Sequence, residues 1–327
     1  MAPVSEPPRA TEPSVRAAFE RIRGHVVETP LLPCEIRGLR LWIKAESLQT
    51  GGSFKLRGAS NRLLQLSDAQ RALGVVAFSS GNHAQGIAIA ASRLGIAATI
   101  VMPDDAPAAK REPTEALGAR IIGYDRQRES REDIAHAFAN RTGATLVPSF
   151  DDVDIIEGQG SCGVEIGAQF RAATGGGEVA QVIVPCGGGG LAAGIALALP
   201  GCDIVPAEPE FWDDMARSLA AGERVAVASD APETRCDALQ TRLVSPITFE
   251  VLSERGSRGV AVSEDEVACA MRFAFSNLRL VIEPGGAVAL AAVLAGKAGA
   301  TADTVIVLSG GNVDPAVYAE IVDVRPR

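Results

Sequence analysis

The sequence predicts an α/β fold in which a mostly parallel sheet alternates with helices. Short runs rich in Val and Ile, uncharged inside, recur along the chain as buried parallel strands do. Alanine-rich helical stretches such as HAQGIAIAASRLG and EDIAHAFANRTG lie between these runs, an alternation typical of a doubly wound fold. The predicted strands are GVVAFSS (74–80), ATIVMP (98–103), ARIIGY (119–124), QVIVPC (181–186), DIVPAE (203–208) and TVIVLS (304–309).

The composition sets the scale of the protein and excludes some partners. The chain has 327 residues, 47% of them hydrophobic, and its length suggests about two domains. A net charge of −9 argues against nucleic acid or a membrane as the main partner, because anionic surfaces attract basic proteins. A small molecule is the expected ligand. Residues 1–13 mix Pro, acid and Arg without an apolar run, so we predict a disordered tail there.

The cysteines indicate the cellular compartment of the protein and do not predict a metal site. They are scattered, with no CxxC pair and no His placed to complete a zinc site. We therefore expect small, mostly buried thiols in a reducing, cytoplasmic protein.

The run of glycines from 187 to 190 admits two interpretations. It precedes the helical segment LAAGIALAL, so its backbone N–H groups lie at a helix N-terminus and suit a phosphate dianion. The same letters fit a dinucleotide fingerprint, because Gly187, Gly189 and Ala192 match G-x-G-x-x-A and Glu208 stands near the position of a ribose-binding acid. An NAD-dependent dehydrogenase is therefore an alternative. It leaves the motifs GGSFKLRG, SSGNHAQG and SGGNVD unexplained.

These motifs occur in an order that resembles a known family. The order is ESLQTGGSFKLRGA, SSGNHAQG, MPDDAPAAK, DDVDIIEGQGS, VPCGGGGLAAG, IEPGGA and LSGGNVD. It resembles pyridoxal-phosphate enzymes of fold type II, specifically the serine/threonine dehydratases and serine racemase. The resemblance implies a tryptophan synthase β-like fold of two doubly wound α/β domains, the small one inserted in the large one. We place the large cofactor-binding domain at residues 1–68 plus 152–327 and the small mobile domain at 74–148.

Lys55 is the residue that the resemblance assigns to the Schiff base with pyridoxal 5'-phosphate. The chain has only four lysines, and Lys55 alone lies in such a motif. An imine needs an unprotonated amine, and burial beside Phe54 is expected to lower the pKa of this lysine.

The resemblance assigns further residues to the cofactor. It implies that the glycine run binds the phosphate, that Asn82 faces the phenolic oxygen and that Ser309 bonds the pyridine nitrogen. A neutral hydroxyl at that nitrogen makes the ring a weaker electron sink, which elimination tolerates better than transamination does. The residues predicted to bind the cofactor are Phe54, Lys55, Asn82, Gly187, Gly188, Gly189, Gly190, Leu191, Glu283 and Ser309.

The turn of Ser80, Gly81, Asn82 and His83 resembles the family's turn that binds the substrate carboxylate. Ser80 matches the serine that acts as acid and base in serine racemase, on the face opposite the lysine. We assign no proton transfer to the His83 imidazole. Arg131, in SRED, is expected to meet a distal polar group of the substrate.

Glu208 and Asp214 match two carboxylates that bind a divalent cation in serine racemase and related dehydratases. The resemblance makes the backbone carbonyl of Trp212 a third ligand, although that position is usually a small residue. Oxygen ligands of this kind suit Mg2+ or Ca2+. Two solvated loop carboxylates are the alternative.

The function implied is β-elimination of a 3-hydroxy amino acid to a 2-oxo acid and ammonia, with Lys55 as the catalytic base. L-Serine or L-threonine is the first expected substrate. L-threo-3-hydroxyaspartate and phenylserine stay open, because the segment CDALQTRLVSPITFE, near the substrate side chain in relatives, resists interpretation. Serine racemase is the alternative enzyme, with Ser80 as its second catalytic residue, and a noncatalytic phosphate-ligand binding protein is an alternative of another class. We expect a homodimer.

Overall fold

The computed structural model describes residues 9–106 and 108–323. The strands are β1 (Leu31–Ile36), β2 (Leu39–Ala45), β3 (Val75–Phe78), β4 (Ala98–Pro103), β5 (Arg120–Tyr124), β6 (Thr145–Leu146), β7 (Gln181–Pro185), β8 (Asp203–Pro209), β9 (Val260–Val262) and β10 (Thr304–Leu308). The α-helices are α1 (Glu12–Arg21), α2 (Lys55–Leu64), α3 (Asp68–Leu73), α4 (Asn82–Leu94), α5 (Ala108–Ala116), α6 (Arg131–Thr142), α7 (Val153–Thr174), α8 (Gly190–Ala198), α9 (Asp214–Ala221), α10 (Pro246–Glu254), α11 (Glu264–Phe273), α12 (Pro284–Leu294) and α13 (Pro315–Val322).

The strands form two sheets. The six-stranded sheet has the order β1-β2-β10-β7-β8-β9, and its neighbouring strands are parallel except for the β1–β2 hairpin. The four-stranded sheet has the order β5-β4-β3-β6 and is parallel throughout. The chain leaves the larger sheet after β2, builds the smaller sheet, and returns at β7. The fold is therefore α/β, with one parallel sheet inserted between two strands of the other.

Both faces of the six-stranded sheet are covered by helices. On β10, Val305 and Val307 belong to the core that includes α7 and α8, whereas Ile306 and Leu308 belong to the core that includes α11 and α12. Successive side chains of a strand point to opposite faces. The strand is consequently apolar at every position, which is the pattern that the sequence shows.

All six predicted strands are present, with ends within two residues of the predicted ones. Among the described residues, β1, β2, β6 and β9 were not predicted. β6 and β9 are too short to give a periodic signal. β2 carries the fully buried Lys44, whose partner Glu165 lies 121 residues further along the chain, so no local pattern marks it as a core strand.

The N-terminal part differs from the prediction. α1 begins at Glu12, inside the segment predicted as a tail. Thr11 and Ser14 form a capping box, and Pro13 occupies the first turn, where its missing N–H is not needed. Residues 1–8 of the predicted tail lie outside the described residues.

The length and polarity of the helices are relevant to the prediction that the protein has no membrane partner. α7 is 22 residues long but carries buried carboxylates, including that of Glu165. Within residues 9–106 and 108–323, no helix is both long and apolar enough to cross a membrane.

Candidate active site

A cavity of about 680 Å³ lies at the carboxyl ends of β3, β7 and β10, so both sheets contribute to its wall. Doubly wound sheets bind ligands at these ends. Every residue predicted for the cofactor or the substrate lines this cavity, although the residues come from distant parts of the chain. They are Phe54, Lys55, Ser80, Gly81, Asn82, His83, Arg131, Gly187, Gly188, Gly189, Gly190, Leu191, Glu283 and Ser309.

Lys55 is the first residue of α2. The N–H of Phe54, just before it, donates to the carbonyl of Ser309 at 3.2 Å and ties the start of the helix to the end of β10. The Lys55 Nζ donates to the carbonyl of Ser149 at 3.1 Å and lies 5.1 Å from the centre of the Phe54 ring. Desolvation lowers the pKa of Lys55 to about 8, against the opposing effect of the Glu283 carboxylate. A useful fraction of the amine is therefore neutral near physiological pH.

Asn82 lies in a chain of side-chain hydrogen bonds that joins the two sheets. Its Nδ2 donates to Oε1 of Glu283 at 2.6 Å, and its Oδ1 accepts from Nδ2 of Asn312 at 2.8 Å. Asn312 Nδ2 also lies 2.7 Å from the carbonyl of Gly51 and 3.0 Å from Oε1 of Gln85. These contacts fix which way the Asn82 amide faces. Asn312 was not among the predicted residues, although it belongs to the SGGNVD motif.

His83 is buried, and its ring is neutral. Its Nε2 donates to the carbonyl of Val147 at 3.0 Å, because a carbonyl can only accept. Burial, together with the nearby charge of Lys55, lowers the pKa of His83 to about 3. Its Nδ1 is buried and has no hydrogen-bond partner among the described residues, and the absence of proton transfer by this ring stays a prediction.

The glycine loop, residues 187–190, connects β7 to α8 and leaves no space for a side chain at Gly188 and Gly189. A Cβ on Gly188 would lie 2.2 Å from the ring of Phe150, and one on Gly189, where φ is +86°, would lie 2.7 Å from the methyl of Met215. α8 has no side-chain cap at its N-terminus. Backbone N–H groups and the helix dipole therefore face the cavity in the arrangement that binds a phosphate. The loop fits the phosphate of pyridoxal phosphate.

Ser80 and Arg131 belong to the side of the cavity formed by the four-stranded sheet. Ser80 lies in the turn between β3 and α4. Arg131 begins α6, where its guanidinium carbon lies 5.6 Å from the centre of the Phe78 ring and its Nε donates to Oε1 of Glu132 at 2.9 Å. The Arg131 side chain is 43% exposed. Its charged end is thus accessible to a ligand in the cavity.

Glu208 and Asp214 lie outside the cavity, at the end of β8 and the start of α9, and both are fully buried. The Glu208 carboxylate accepts from the N–H groups of Met215 at 3.0 Å and Ala216 at 2.7 Å. Both carboxylate oxygens of Asp214 are buried, and neither forms a hydrogen bond of good geometry in the described part of the chain, although the backbone N–H groups of Asp214 itself and of Val244 lower its pKa. Burial raises the pKa of Asp214 to about 7, and burial and the charge of Asp214 raise that of Glu208. Two buried carboxylates, one of which holds oxygens without a hydrogen-bond donor, fit a divalent cation.

Trp212, whose backbone carbonyl is the third predicted ligand, has its own side-chain contacts. Its indole Nε1 donates to the carbonyl of Pro232 at 2.8 Å, and the guanidinium of Arg242 lies 5.7 Å from the ring centre. Within the described ranges, no group of three or more His, Cys, Asp and Glu side chains is placed to hold a metal. A cation here would therefore need backbone or water oxygens besides the two carboxylates.

Residues 237–246, which the sequence left uninterpreted, form one wall of the cavity. Thr241 approaches the glycine loop, since its Oγ1 would lie 3.2 Å from a Cβ on Gly187. The role of this segment depends on contacts with a loop about 50 residues earlier, as in other loop-built sites. No local motif could have marked it.

Comparison with known proteins gives a family and full-length relatives. The family model described as "Pyridoxal-phosphate dependent enzyme" matches residues 22–310. An L-threo-3-hydroxyaspartate ammonia-lyase of Pseudomonas sp is 41% identical over 313 residues, covering 93% of this chain and 96% of that protein. A serine racemase of Schizosaccharomyces pombe is 37% identical, covering 94% and 96%. The structure of maize serine racemase has a TM-score of 0.87 at 35% identity, covering 96% and 97%.

Proposed function

We propose that this chain, which belongs to the family of pyridoxal-phosphate-dependent enzymes and is an ammonia-lyase, converts L-threo-3-hydroxyaspartate to oxaloacetate and ammonia. Family membership removes the NAD-dependent dehydrogenase from the alternatives. The observation that supports this choice of substrate is the position of Arg131, which lines the same cavity as Lys55. L-Serine and L-threonine, the first expected substrates, have no second carboxylate to pair with it. The Pseudomonas relative, which is named for hydroxyaspartate, supports the choice.

Arg131 is suited to a distal carboxylate. A guanidinium presents its N–H groups as a planar fork that pairs with two carboxylate oxygens at once. The hydrogen bond from Arg131 to Glu132 uses the Nε of the guanidinium, which leaves its two terminal nitrogens for a ligand. The Phe78 ring beneath the guanidinium restrains its plane.

The residues around the cavity divide the work of holding the cofactor. Pyridoxal phosphate, when bound, withdraws electrons from the α-carbon of an amino acid and so acidifies its proton. The glycine loop would hold the phosphate, Lys55 would form the covalent link, and Asn82 would orient the phenolic oxygen. The buried Ser309 would supply a neutral hydroxyl to the ring nitrogen.

Lys55 is the residue that moves the α-proton. Its lowered pKa, about 8, keeps part of the amine neutral and able to accept that proton. The β-hydroxyl leaves as water and a later hydrolysis takes up water, so each hydroxyaspartate yields one oxaloacetate and one ammonia. His83 stays neutral and bonded to a backbone carbonyl, and it supplies no proton.

The metal is part of the proposal. Glu208 and Asp214 would hold Mg2+ or Ca2+ through carboxylate oxygens, with the Trp212 carbonyl as a further ligand supplied by the backbone. The buried, unpartnered oxygens of Asp214 support this assignment. The two carboxylates do not line the cavity. The cation would therefore stabilise the loop after β8 and would not contact the substrate.

Racemisation is a second candidate, favoured by one residue. Ser80 lines the cavity with Lys55 and could return a proton to the other face of the α-carbon. Elimination competes with that return whenever the substrate carries a β-hydroxyl. We therefore expect racemisation to be the minor activity.

A substrate panel tests the proposal. The purified enzyme with bound pyridoxal phosphate is given L-threo-3-hydroxyaspartate, L-serine, L-threonine or phenylserine, and ammonia and 2-oxo acid are measured. We expect kcat/KM for hydroxyaspartate to exceed the others by about tenfold or more, which corresponds to about 1.4 kcal/mol. A higher value for any monocarboxylic substrate would reject hydroxyaspartate as the preferred one. Bound cofactor without any 2-oxo acid would favour a noncatalytic protein.

A further inference from the structure

Four charged side chains are buried together beneath the start of α2. Lys44 lies on β2, Glu46 directly follows that strand, Arg57 lies in the first turn of α2, and Glu165 lies on α7. None of these side chains is more than 2% exposed. Two cations thus face two anions inside the protein, away from the cavity.

Arg57 is the centre of this cluster. Its Nε and Nη2 donate to the two carboxylate oxygens of Glu46, each at 2.8 Å. Its Nη1 and Nη2 donate to the two oxygens of Glu165 at 2.6 and 2.7 Å, and Nη1 reaches Oγ of Ser161 at 3.1 Å. Lys44 donates to Glu165 at 2.6 Å, and in the described part of the chain it has no hydrogen bond to α2. Arg57 therefore connects three elements, and Lys44 connects two.

Stability alone is a weak reason for such a cluster. Removing ions from water costs free energy that their attraction only partly offsets, and apolar residues often replace buried ion pairs without loss. What Arg57 adds is direction, because its planar fork pairs with carboxylates from two different elements. Two such pairs fix the rotation of α2 about its axis.

Lys55 is only two residues before Arg57 in the same turn of α2. Two successive steps along an α-helix rotate the side chain by about 200°, so the two side chains leave α2 on nearly opposite sides. Arg57 faces the buried carboxylates, and Lys55 lines the cavity. The residue before them, Phe54, gives the helix no side-chain cap. A rotation of α2 that released Arg57 would carry the Lys55 amine away from its place.

We infer that Arg57 is a positioning residue: through Glu46 and Glu165 it holds the first turn of α2 so that the Lys55 amine stays in the cavity. Arg57 does not itself line the cavity. The inference rests on the proposed role of Lys55 as the lysine that binds pyridoxal phosphate. It adds to the motif around Lys55 the requirement that Arg57 pairs with two buried carboxylates from outside the motif.

The test compares Arg57→Met with Lys44→Met. Each removes one cation from the same cluster and leaves a buried carboxylate with less compensation, so both should lower the melting temperature. Only Arg57→Met releases α2. Cofactor-free protein is incubated with pyridoxal phosphate, reduced with borohydride and mapped by mass spectrometry, which gives the rate of labelling at Lys55. We expect Arg57→Met to slow this labelling by about tenfold or more, because misplacing a reacting group is costly, and Lys44→Met to stay close to the parent.

Two further measurements separate positioning from general damage. The pH midpoint for acetylation of Lys55 in the cofactor-free chain should rise in Arg57→Met, because the amine loses its desolvated surroundings. In the enzyme with cofactor, kcat should fall while KM for hydroxyaspartate changes little, since Arg131 is untouched. Lys44→Met should show neither change.

Equal slowing in both Met variants, or an unchanged labelling rate in Arg57→Met, would overturn the inference. If Arg57→Met does not fold, Arg57→Lys takes its place, because it keeps the charge but loses the fork. Arg57→Lys should also slow labelling, and a rate like the parent's would contradict the inference. A parent that takes no label on Lys55 contradicts the proposed function itself, which the variants alone cannot do.

Discussion

Nδ2 of Asn82 donates to Oε1 of Glu283 at 2.6 Å, and this bond joins the start of α4 to the residue before α12. The two helices belong to different sheets, so the pair closes one side of the cavity. It also places a carboxylate near Lys55, where its negative charge opposes the lowering of the lysine pKa by desolvation. The pair therefore connects the geometry of the site with the protonation of its base.

Replacing Glu283 by Gln should lower the pKa of Lys55 below its parent value of about 8. The sign follows from the charge: a carboxylate stabilises the ammonium form, and its removal leaves desolvation unopposed. The Gln oxygen can still accept from Asn82. The measurement is the pH midpoint of Lys55 acetylation in the cofactor-free chain. Glu223→Gln, an exposed carboxylate that does not line the cavity, is the control and should leave the midpoint unchanged. A midpoint that rises in Glu283→Gln would contradict the electrostatic assignment.

Arg131→Met should change substrate preference. Loss of the guanidinium should lower kcat/KM for L-threo-3-hydroxyaspartate by about tenfold or more, an effect of about 1.4 kcal/mol, while L-serine is affected little. Arg141→Met is the matched control, because Arg141 lies on the same helix and stacks on Phe138 without lining the cavity. Parallel losses for both substrates in Arg131→Met would mean that Arg131 does not read the distal carboxylate.

The cation proposal predicts a stability change on metal removal. A cation that binds only the folded chain stabilises it by about 2.7 kcal/mol at one hundred times its Kd. Chelation should lower the melting temperature of the parent, and Mg2+ or Ca2+ should restore it. Asp214→Asn should abolish this response, whereas Asp213→Asn should keep it, because the Asp213 carboxylate is paired with Arg217. If Asp214→Asn responds to chelator as the parent does, the site is not at Glu208 and Asp214.

Ser80→Ala separates elimination from racemisation. The variant should lose any exchange between L- and D-serine, because no other residue is assigned to the second face of the α-carbon. Elimination from L-substrates should fall less, through weaker binding of the carboxylate in the turn. Chiral chromatography of the amino acid and an assay for the 2-oxo acid give both rates in one reaction. Equal losses of the two activities would remove Ser80 from the second face.

The sequence predicts much of this site because its motifs follow strand ends. Within one parallel sheet the carboxyl ends of the strands lie at the same edge, so VPCGGGGLAAG after β7 and SGGNVD after β10 come together without further information. SSGNHAQG follows β3 of the other sheet, and its place in the same cavity depends on how the two sheets pack together. On the proposed function, substrate specificity depends on Arg131, which the resemblance did assign to a distal polar group, and on residues 237–246. The position of residues 237–246 in the cavity is set by packing and could not be predicted from a local pattern.

The buried charges show most clearly what could not be predicted from the sequence. Lys44 reads as a surface residue in the segment LRLWIKA, and only the approach of Glu165, 121 residues away, explains its burial. Arg57 lies inside the predicted motif GGSFKLRG, yet its partners Glu46 and Glu165 could not be identified from spacing. Long-range partners decide both cases.

The most direct test of the account is a mass balance on one substrate. The enzyme with bound pyridoxal phosphate is incubated with L-threo-3-hydroxyaspartate, and the remaining substrate, its stereoisomers, oxaloacetate and ammonia are all quantified. We predict one oxaloacetate and one ammonia for each hydroxyaspartate consumed, and no product of either kind from Lys55→Ala. Substrate consumed mainly into a stereoisomer, or elimination that persists in Lys55→Ala, would contradict an ammonia-lyase that uses Lys55 as its base.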